Sequence, residues 1–320
     1  MMMTDKKKIS VVTSCLNEEG NIEEFYARVT SALAEFPGYT YEISIADNCS
    51  TDTTREILRR LAAADSRLKV VFNSNNFGPI RSGYNAFLMA TGDAVILMAC
   101  DLQDPPALIS EMIRKWEEGF KVVVAVKASS REAQLVFLAR KLFYKALSFL
   151  SDTDHVIQDF TGFGLYDRVF LNVLRRYRDP VPYLRGFVSE IGFRRAEIPF
   201  EQPERKQGRS KHSFLSLYDV AMGGVINHSK LPLRLATFSG FFIAGISLLV
   251  ALSYLVYKLL YWDTFTLGLA PLIIGVFFFS AVQLIFIGII GEYVGAILTQ
   301  VKGRPLAIIE ESINCPNPDA

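Results

Sequence analysis

Between Ile9 and Val126, short apolar runs alternate with segments whose apolar residues recur at helical spacing. Each run is long enough for one strand and ends in polar residues. The runs predict strands at Ile9–Thr13, Tyr41–Ala46, Leu68–Phe72, Val95–Ala99 and Val122–Val126. Strands that alternate with helices in this way are typical of a parallel sheet covered by helices. We therefore expect an α/β domain with a mostly parallel sheet.

The helical segments between these strands each present one apolar face. The four predicted faces are Ile22, Phe25, Val29 and Leu33; Ile57, Leu58 and Leu61; Ile80, Tyr84, Phe87 and Leu88; and Ile109, Met112, Ile113 and Trp116. Thr53 followed by Glu56 predicts a capping box at the start of the second helix.

A second pattern occupies the last quarter of the chain, where two uncharged runs, Leu235–Tyr257 and Leu267–Gly291, each have about the 20 residues needed to span a bilayer. We expect two transmembrane helices, preceded by an amphipathic segment, Phe214–His228, at the membrane surface. Positive charges flank the outer ends of the two runs, at Lys230, Arg234, Lys302 and Arg304. The positive-inside rule then predicts a multi-pass protein of the inner or plasma membrane with both termini in the cytosol.

The two patterns together predict four regions: a cytosolic domain at 1–212, interfacial helices at 213–232, a transmembrane hairpin at 233–300 and a cytosolic tail at 301–320. We expect the residues after Glu311 to be disordered. Small residues in the second apolar run favour close helix contacts, and we therefore expect a homo-oligomer formed through the membrane region. Those residues are Gly275, Gly288, Gly291 and Gly295.

Composition adds two restrictions. Lys plus Arg, at 34, nearly balance Asp plus Glu, at 33, which argues against nucleic acid as a partner. The four cysteines have no paired spacing, so they are interpreted as small buried residues in a reducing compartment.

The apolar run after the N-terminal lysines turns polar at Asn17, too soon for a signal peptide, so we expect a cytosolic N-terminus.

Polar residues follow the predicted strands at the edge of the sheet where ligands bind in open α/β folds. The loop after the fourth strand carries Asp101, Gln103 and Asp104. Their oxygens suit a hard cation that keeps substrate phosphates as its remaining ligands, although a solvated acidic turn would look the same. The sequence has no G-x-G-x-x-G after the first strand and no G-x-x-x-x-G-K-[ST], which argues against dinucleotide and P-loop chemistry.

Basic residues that could bind phosphate cluster in two other places. The segment Glu201–His212 contains Arg205, Arg209, Ser210 and Lys211 and is predicted to be a mobile loop. A solvated linker is the alternative. A predicted helix over Ala128–Leu150 carries Arg131, either as a phosphate ligand or as part of a charged outer face.

Four motifs resemble those of glycosyltransferase family 2, and in particular of its polyprenyl-phosphate glycosyltransferases. They are Asn17–Ile22, Asp47 with Ser50-Thr51-Asp52, Asn76-Phe77-Gly78 and Asp101–Pro106. The resemblance covers nearly the whole chain and implies a nucleotide-sugar-binding domain of the glycosyltransferase A type. It implies that Asp47 contacts the nucleotide base, and that Asp101 and Gln103 hold Mg²⁺ or Mn²⁺ against the donor diphosphate.

The loops and the resemblance together define the expected site. The donor-binding set is Thr13, Asn17, Glu18, Asp47, Asn76, Gly78 and Arg131. The acceptor-phosphate set is Arg205, Arg209, Ser210 and Lys211, and the catalytic set is Asp101, Asp104, Arg205 and Arg209.

The chain also departs from the family pattern. Ala99 stands where the family commonly has Asp, and Ser14 and Leu16 replace a Pro and a Tyr. Thr161-Gly162-Phe163-Gly164 replaces Gly-Asp-Phe-Arg and lacks both its acid and its base.

The expected reaction is inverting transfer of a sugar from a UDP- or GDP-linked donor to an undecaprenyl-type polyprenyl phosphate. Such an acceptor is already anionic near neutral pH, since the second pKa of a phosphate monoester is about 6. Two alternatives stay open: a processive polysaccharide synthase, and a catalytically inactive membrane scaffold.

Overall fold

A computed structural model describes residues 6–129, 160–177, 179–203, 231–261 and 269–315. The strands are β1 (Lys8–Cys15), β2 (Thr40–Asp47), β3 (Leu68–Asn73), β4 (Ala94–Leu97), β5 (Val122–Ser129), β6 (Phe160–Asp167), β7 (Arg195–Glu201) and β8 (Ile309–Ile313). The helices are α1 (Ile22–Ala34), α2 (Thr54–Ala64), α3 (Pro79–Met89), α4 (Leu108–Glu117), α5 (Arg168–Leu174), α6 (Leu184–Ile191), α7 (Leu231–Leu260) and α8 (Leu269–Lys302).

The strands form one sheet in the order β7-β5-β6-β4-β1-β2-β3-β8. Strands β4, β1, β2 and β3 run parallel, and β5 and β7 are parallel to each other. Strand β6 lies antiparallel between β4 and β5, and β8 lies antiparallel to β3. The α/β class, the mostly parallel sheet and all five predicted strands are confirmed.

The core lies between the sheet and the predicted helix faces. The apolar faces of α1 and α4 are buried as expected, and Tyr84 and Phe87 of α3 are buried too. Ile80 is a correction, because its side chain is 47% exposed. It lies in the first turn of α3, directly after the loop that follows β3, so it projects at the loop edge of the sheet.

The capping box at α2 is also wrong. Thr53 is the N-cap residue, but its side chain makes no capping hydrogen bond. Its hydroxyl instead donates to Glu19 Oε2 at 2.6 Å, and the Thr54 N–H donates to Asp52 Oδ1 at 3.0 Å. The residues that resemble a cap therefore join two loops.

Strand β5 extends to Ser129, so Ala128 and Ser129 do not begin the predicted helix, and the rest of that helix lies outside the described residues. Its neighbour β6 was not predicted from the sequence. Gly164 allows the two strands to approach, because a Cβ there would lie 2.4 Å from the Val123 carbonyl oxygen.

The predicted disorder after Glu311 is wrong as far as Cys315, where the description ends. Residues Ile309–Ile313 form β8, which pairs with the edge strand β3. Asn314 Nδ2 then donates to the carbonyl oxygens of Ala62, at 2.8 Å, and Leu68, at 3.0 Å. The expected cytosolic tail thus supplies a strand to the sheet.

The chain divides into two compact units, and α7 and α8 belong to the second. Large apolar side chains such as Phe241 and Phe277 are each 74% exposed on these helices. Within the described residues, one segment, Gly275–Lys302, is long and apolar enough to cross a membrane, and Leu235–Val250 is a shorter apolar stretch. Two membrane spans are therefore not confirmed.

Candidate active site

The loops after β1 and β2 are joined by hydrogen bonds. The Asn17 N–H donates to Ser50 Oγ at 2.9 Å, and Asn17 Oδ1 accepts from the Thr51 N–H at 2.8 Å. The Glu18 N–H donates to Thr54 Oγ1 at 3.0 Å. These bonds hold Asn17 and Glu18 beside the residues that follow Asp47.

Asp47 ends β2 and is fully buried. Its Oδ2 atom accepts from Arg55 Nε at 2.8 Å and from the Ser50 N–H at 3.1 Å. A buried carboxylate needs such partners, because an unpaired charge away from water is costly. The expected base-binding acid is therefore held by an ion pair with α2.

The loop after β3 is organised by asparagines. Asn48 Nδ2 donates to Asn76 Oδ1 at 2.7 Å, and the same oxygen accepts from the Gly78 N–H at 2.9 Å. Asn73 is buried and donates to Ser82 Oγ at 2.9 Å. Gly78 has φ +84°, which favours glycine, and α3 starts with Pro79 directly after it. Asn17, Glu18, Asn76 and Gly78 thus lie in loops at one edge of the sheet, beside Asp47 at the end of β2.

Residues with strained, left-handed backbone conformations also lie at this edge of the sheet. Among the described residues, the non-glycine positions with positive φ are Asn17, Cys49, Leu102 and Asn314, and the first three follow β1, β2 and β4. Leu102, at φ +61°, lies between Asp101 and Gln103 and has a buried side chain. Burial of this side chain holds a left-handed turn that costs about 1–2 kcal/mol. Its polar neighbours are partly exposed.

Asp101 and Gln103 are close, since the Gln103 N–H donates to Asp101 Oδ1 at 3.1 Å. In the described part of the chain, no group of three or more His, Cys, Asp or Glu side chains could hold a metal ion. One carboxylate and one amide nevertheless fit Mg²⁺ or Mn²⁺, because Mg²⁺ in particular is commonly held by one or two carboxylates together with substrate phosphates and water.

Asp104 is buried and turned toward the protein, with Oδ2 accepting from the Ala99 N–H at 2.8 Å. Burial raises the pKa of Asp104 to about 6, and the nearby charge of Asp101 adds to this effect. The Ala99 N–H and the charge of Lys127 act in the opposite direction. Asp104 therefore bridges the loop after β4, and the pKa of its carboxyl lies above the ordinary value.

Two cysteines lie under this edge. Cys15 and Cys100 are buried, and Cys100 Sγ donates to the Ser14 carbonyl oxygen at 3.4 Å. Burial raises the pKa of both thiols. Thr13 is buried beside them at the end of β1. The prediction of small buried cysteines is right for this pair, while Cys49 and Cys315 are half-buried.

Sequence reasoning missed Arg55, Asn48 and Lys127 as members of this edge. An acidic partner for Arg55 could have been predicted from the sequence, because a cation in the first turn of a helix is unfavourable beside the helix dipole unless an acid pairs with it. Asn48 gave no signal beyond its place in a polar loop, and Lys127 lay just past the predicted end of its strand. Five predicted site residues lie outside the described residues: Arg131, Arg205, Arg209, Ser210 and Lys211.

The sequence was compared with models of known protein families, and one family model matches the part of the chain that carries these loops. Residues 10–175, just over half of the chain, match the model of glycosyl transferase family 2. The chain belongs to that family. It is similar to the uncharacterized glycosyltransferase YkcC of Bacillus subtilis, at 35% identity over 96% of this chain and 95% of the relative. It is also similar to the SfII prophage-derived bactoprenol glucosyl transferase of Shigella flexneri, at 32% identity over 95% of this chain and 98% of the relative.

Among solved structures, the mannosyltransferase PcManGT from Pyrobaculum calidifontis, in complex with GDP-Man and Mn²⁺, matches with 19% identity and a TM-score of 0.48. That match covers 94% of this chain and 88% of the other.

Two departures from the family 2 pattern now have a structural description. Ala99, in the place of an Asp, is exposed two residues after the end of β4. Gly162, in the place of the other acid, has φ +106°, and its carbonyl oxygen accepts from Tyr166 Oη at 2.8 Å. An L-residue is strained at that φ, and a side chain at Gly164 would meet the Val123 carbonyl oxygen. The described backbone of β6 is therefore adapted to glycine at both positions.

Proposed function

We propose that this family 2 glycosyltransferase transfers a sugar from a nucleotide diphosphate sugar to polyprenyl phosphate at the cytosolic face of the inner or plasma membrane. The observation that carries the proposal is a group of polar residues at one edge of the sheet. Hydrogen bonds join the loops after β1, β2 and β3, which hold Asn17 beside Asp47, and Asp101 lies in the loop after β4 at the same edge.

The donor would bind along this edge. Nucleotide binding requires separate donors and acceptors for base, ribose and diphosphate, and these loops supply hydroxyl, amide and carboxylate groups. The proposed donor-binding residues are Thr13, Asn17, Glu18, Asp47, Asn76, Gly78 and Arg131.

Asp101 and Gln103 would hold Mg²⁺ or Mn²⁺ beside the donor diphosphate. When bound, the ion supplies positive charge that stabilises the departing nucleotide diphosphate. Asp104 holds the loop that carries these two residues and is the proposed positioner of the sugar.

The acceptor proposal is supported by relatives that are named bactoprenol glucosyl transferases. A phosphate monoester is its own anionic nucleophile, so positioning and charge stabilisation would provide most of the catalysis. Arg205, Arg209, Ser210 and Lys211 are proposed to bind the acceptor phosphate, and Arg205 and Arg209 also to act in catalysis. Direct displacement would invert the anomeric carbon.

A lipid acceptor is consistent with the apolar helices. We propose that α7 and α8 form a two-span hairpin with both chain termini in the cytosol, and that homo-oligomers form through this region. The predicted amphipathic segment, Phe214–His228, lies outside the described residues and is proposed to rest on the membrane surface. The cytosolic domain would comprise residues 1–212 together with β8.

The test is a reaction of the purified full chain with polyprenyl phosphate, Mg²⁺ or Mn²⁺, and a panel of UDP- and GDP-sugars, analysed by lipid mass. We expect a gain of one sugar with at least one donor. A polymeric product would favour the polysaccharide synthase, and no product with any donor would favour the inactive scaffold.

A further inference from the structure

The environment of Asp47 contains a residue from the far end of the chain. Arg55 uses Nε for Asp47, while its Nη2 donates to the Asn73 carbonyl oxygen at 3.0 Å and to Glu310 Oε2 at 3.2 Å. The guanidinium is a rigid planar fork, so contacts on one side fix the direction of the other. Glu310 therefore acts on the group that orients the carboxylate of Asp47.

Glu310 reaches Arg55 because of an irregularity in the sheet. In the pairing of β3 with β8, Phe72 is opposite Glu311 and Asn73 is opposite Ile309, so Glu310 is the extra residue of a bulge. Bulges redirect side chains and are common beside active sites. The irregular pairing occurs at the last residue of β3, at the carboxyl edge of the sheet.

The position of β8 is fixed by bonds on both sides of Glu310. The Ser74 N–H donates to the Ile308 carbonyl oxygen at 3.0 Å, and Arg59 Nη2 donates to Glu311 Oε2 at 2.6 Å. Arg81 Nη2 donates to the Pro305 carbonyl oxygen at 2.6 Å. The segment is therefore held against α2, α3 and the loop that follows β3.

We propose that Arg55 is a positioning residue for Asp47 in nucleotide binding. Glu310 of the C-terminal strand pairs with the same guanidinium and so weakens the ion pair between Arg55 and Asp47. Without Glu310, Asp47 would be the one carboxylate left on the guanidinium, which would still donate to the Asn73 carbonyl oxygen. The carboxylate of Asp47 would then become a weaker acceptor for an N–H group of the base. This inference rests on the proposed function, since it takes Asp47 as the base-binding acid.

Glu310→Ala is the informative variant, because this side chain is 57% exposed and its loss leaves no buried charge unpaired. We expect the KM for the nucleotide sugar to rise about five-fold, with kcat within about two-fold and the melting temperature within about 2 °C of wild type. Isothermal titration of UDP or GDP should show the same loss of affinity. Glu310→Asp restores a carboxylate and should recover part of that loss.

Glu311→Ala is the matched control. Its side chain is 40% exposed on the same strand and also pairs with an arginine of α2, but that arginine, Arg59, makes none of the hydrogen bonds to Asp47. Its KM should stay within about two-fold of wild type. Equal effects of the two variants, or an unchanged affinity in Glu310→Ala, would overturn the inference alone. Failure of the wild-type protein to bind any nucleotide sugar would overturn the proposed function and the inference together.

Discussion

Two buried acids at opposite ends of β2 have different roles. Asp47, at the carboxyl end, lies among the proposed donor-binding loops. Glu42, near the other end, accepts from Ser10 Oγ at 2.6 Å, from the Thr91 N–H at 2.8 Å and from Lys69 Nζ. The Glu42 network joins β1, β2, β3 and the turn before β4, so its contribution is to stability.

The stability of the fold should depend on Glu42 at acidic pH. Burial alone would raise its pKa, but the hydrogen bonds from Lys69, Ser10 and Thr91 outweigh burial and lower the pKa to about 2. Because the folded pKa lies below the ordinary value of 4.5, the stabilisation is complete above pH 4.5 and is lost as pH falls toward 2. This lowering of the Glu42 pKa corresponds to at most about 3 kcal/mol of folding free energy.

Glu42→Gln should therefore have a flatter dependence of unfolding free energy on pH between about 2 and 4.5 than wild type. Urea unfolding followed by circular dichroism would measure this, with the exposed Glu56→Gln as control. Parallel pH profiles for wild type and Glu42→Gln would contradict the assignment.

The metal proposal also belongs to single residues. Asp101→Asn removes the one carboxylate of the proposed ligand set, so Mg²⁺-dependent affinity for a nucleotide sugar should fall at least about ten-fold. Calorimetry with and without Mg²⁺ provides the measurement. The control is Asp93→Asn, an exposed residue whose carboxylate accepts from the Lys8 N–H at the other edge of the sheet. Equal metal dependence in wild type and Asp101→Asn would exclude Asp101 as the ligand.

Among the elements, β6 is the one that depends most on small residues. It lies antiparallel between two strands that are otherwise parallel, and it carries Gly162 and Gly164. Its Tyr166 packs on the helices, with Phe170 of α5 stacked at 5.3 Å and Phe87 of α3 edge-on at 5.1 Å. Close approach to β5 therefore depends on Gly164.

Gly164→Ala should destabilise the protein by about 2 kcal/mol or more, because the new methyl group would meet the backbone of β5. Gly38→Ala is the control, since a Cβ there meets nothing within 4 Å, and its effect should stay within about 0.5 kcal/mol. Thermal unfolding of both variants checks the prediction. Similar melting temperatures would contradict the packing described for β5 and β6.

At the scale of the whole molecule, the sequence predicted the five buried strands that are continuous apolar runs. It missed β6, which is equally buried but whose apolar residues are interrupted by Gly162 and Gly164. It did not predict β7 and β8, whose exposed residues alternate with less exposed ones at the two edges of the sheet. Glu310 falls in the predicted cytosolic tail, and its partner Arg55 is 255 residues away. Contacts at that separation leave no local pattern in a single sequence.

In the candidate site, too, some features could be predicted from the sequence and others could not. Asp101, Gln103 and Asp47 follow apolar runs, so their place at the sheet edge could be predicted. The pairing of Asp47 with Arg55 and the inward turn of Asp104 depend on side-chain directions that periodicity does not specify. The capping pattern at Thr53 was misread because its hydroxyl bonds across loops to Glu19.

The central claim is transfer of one sugar to a lipid phosphate by direct displacement. The most direct test is to purify the lipid product made by the full chain and determine its mass and anomeric configuration by NMR, with a donor of known configuration. The account predicts one sugar per polyprenyl phosphate, with the configuration opposite to that of the donor. A product with the donor's configuration, or a lipid carrying a chain of sugars, would contradict it.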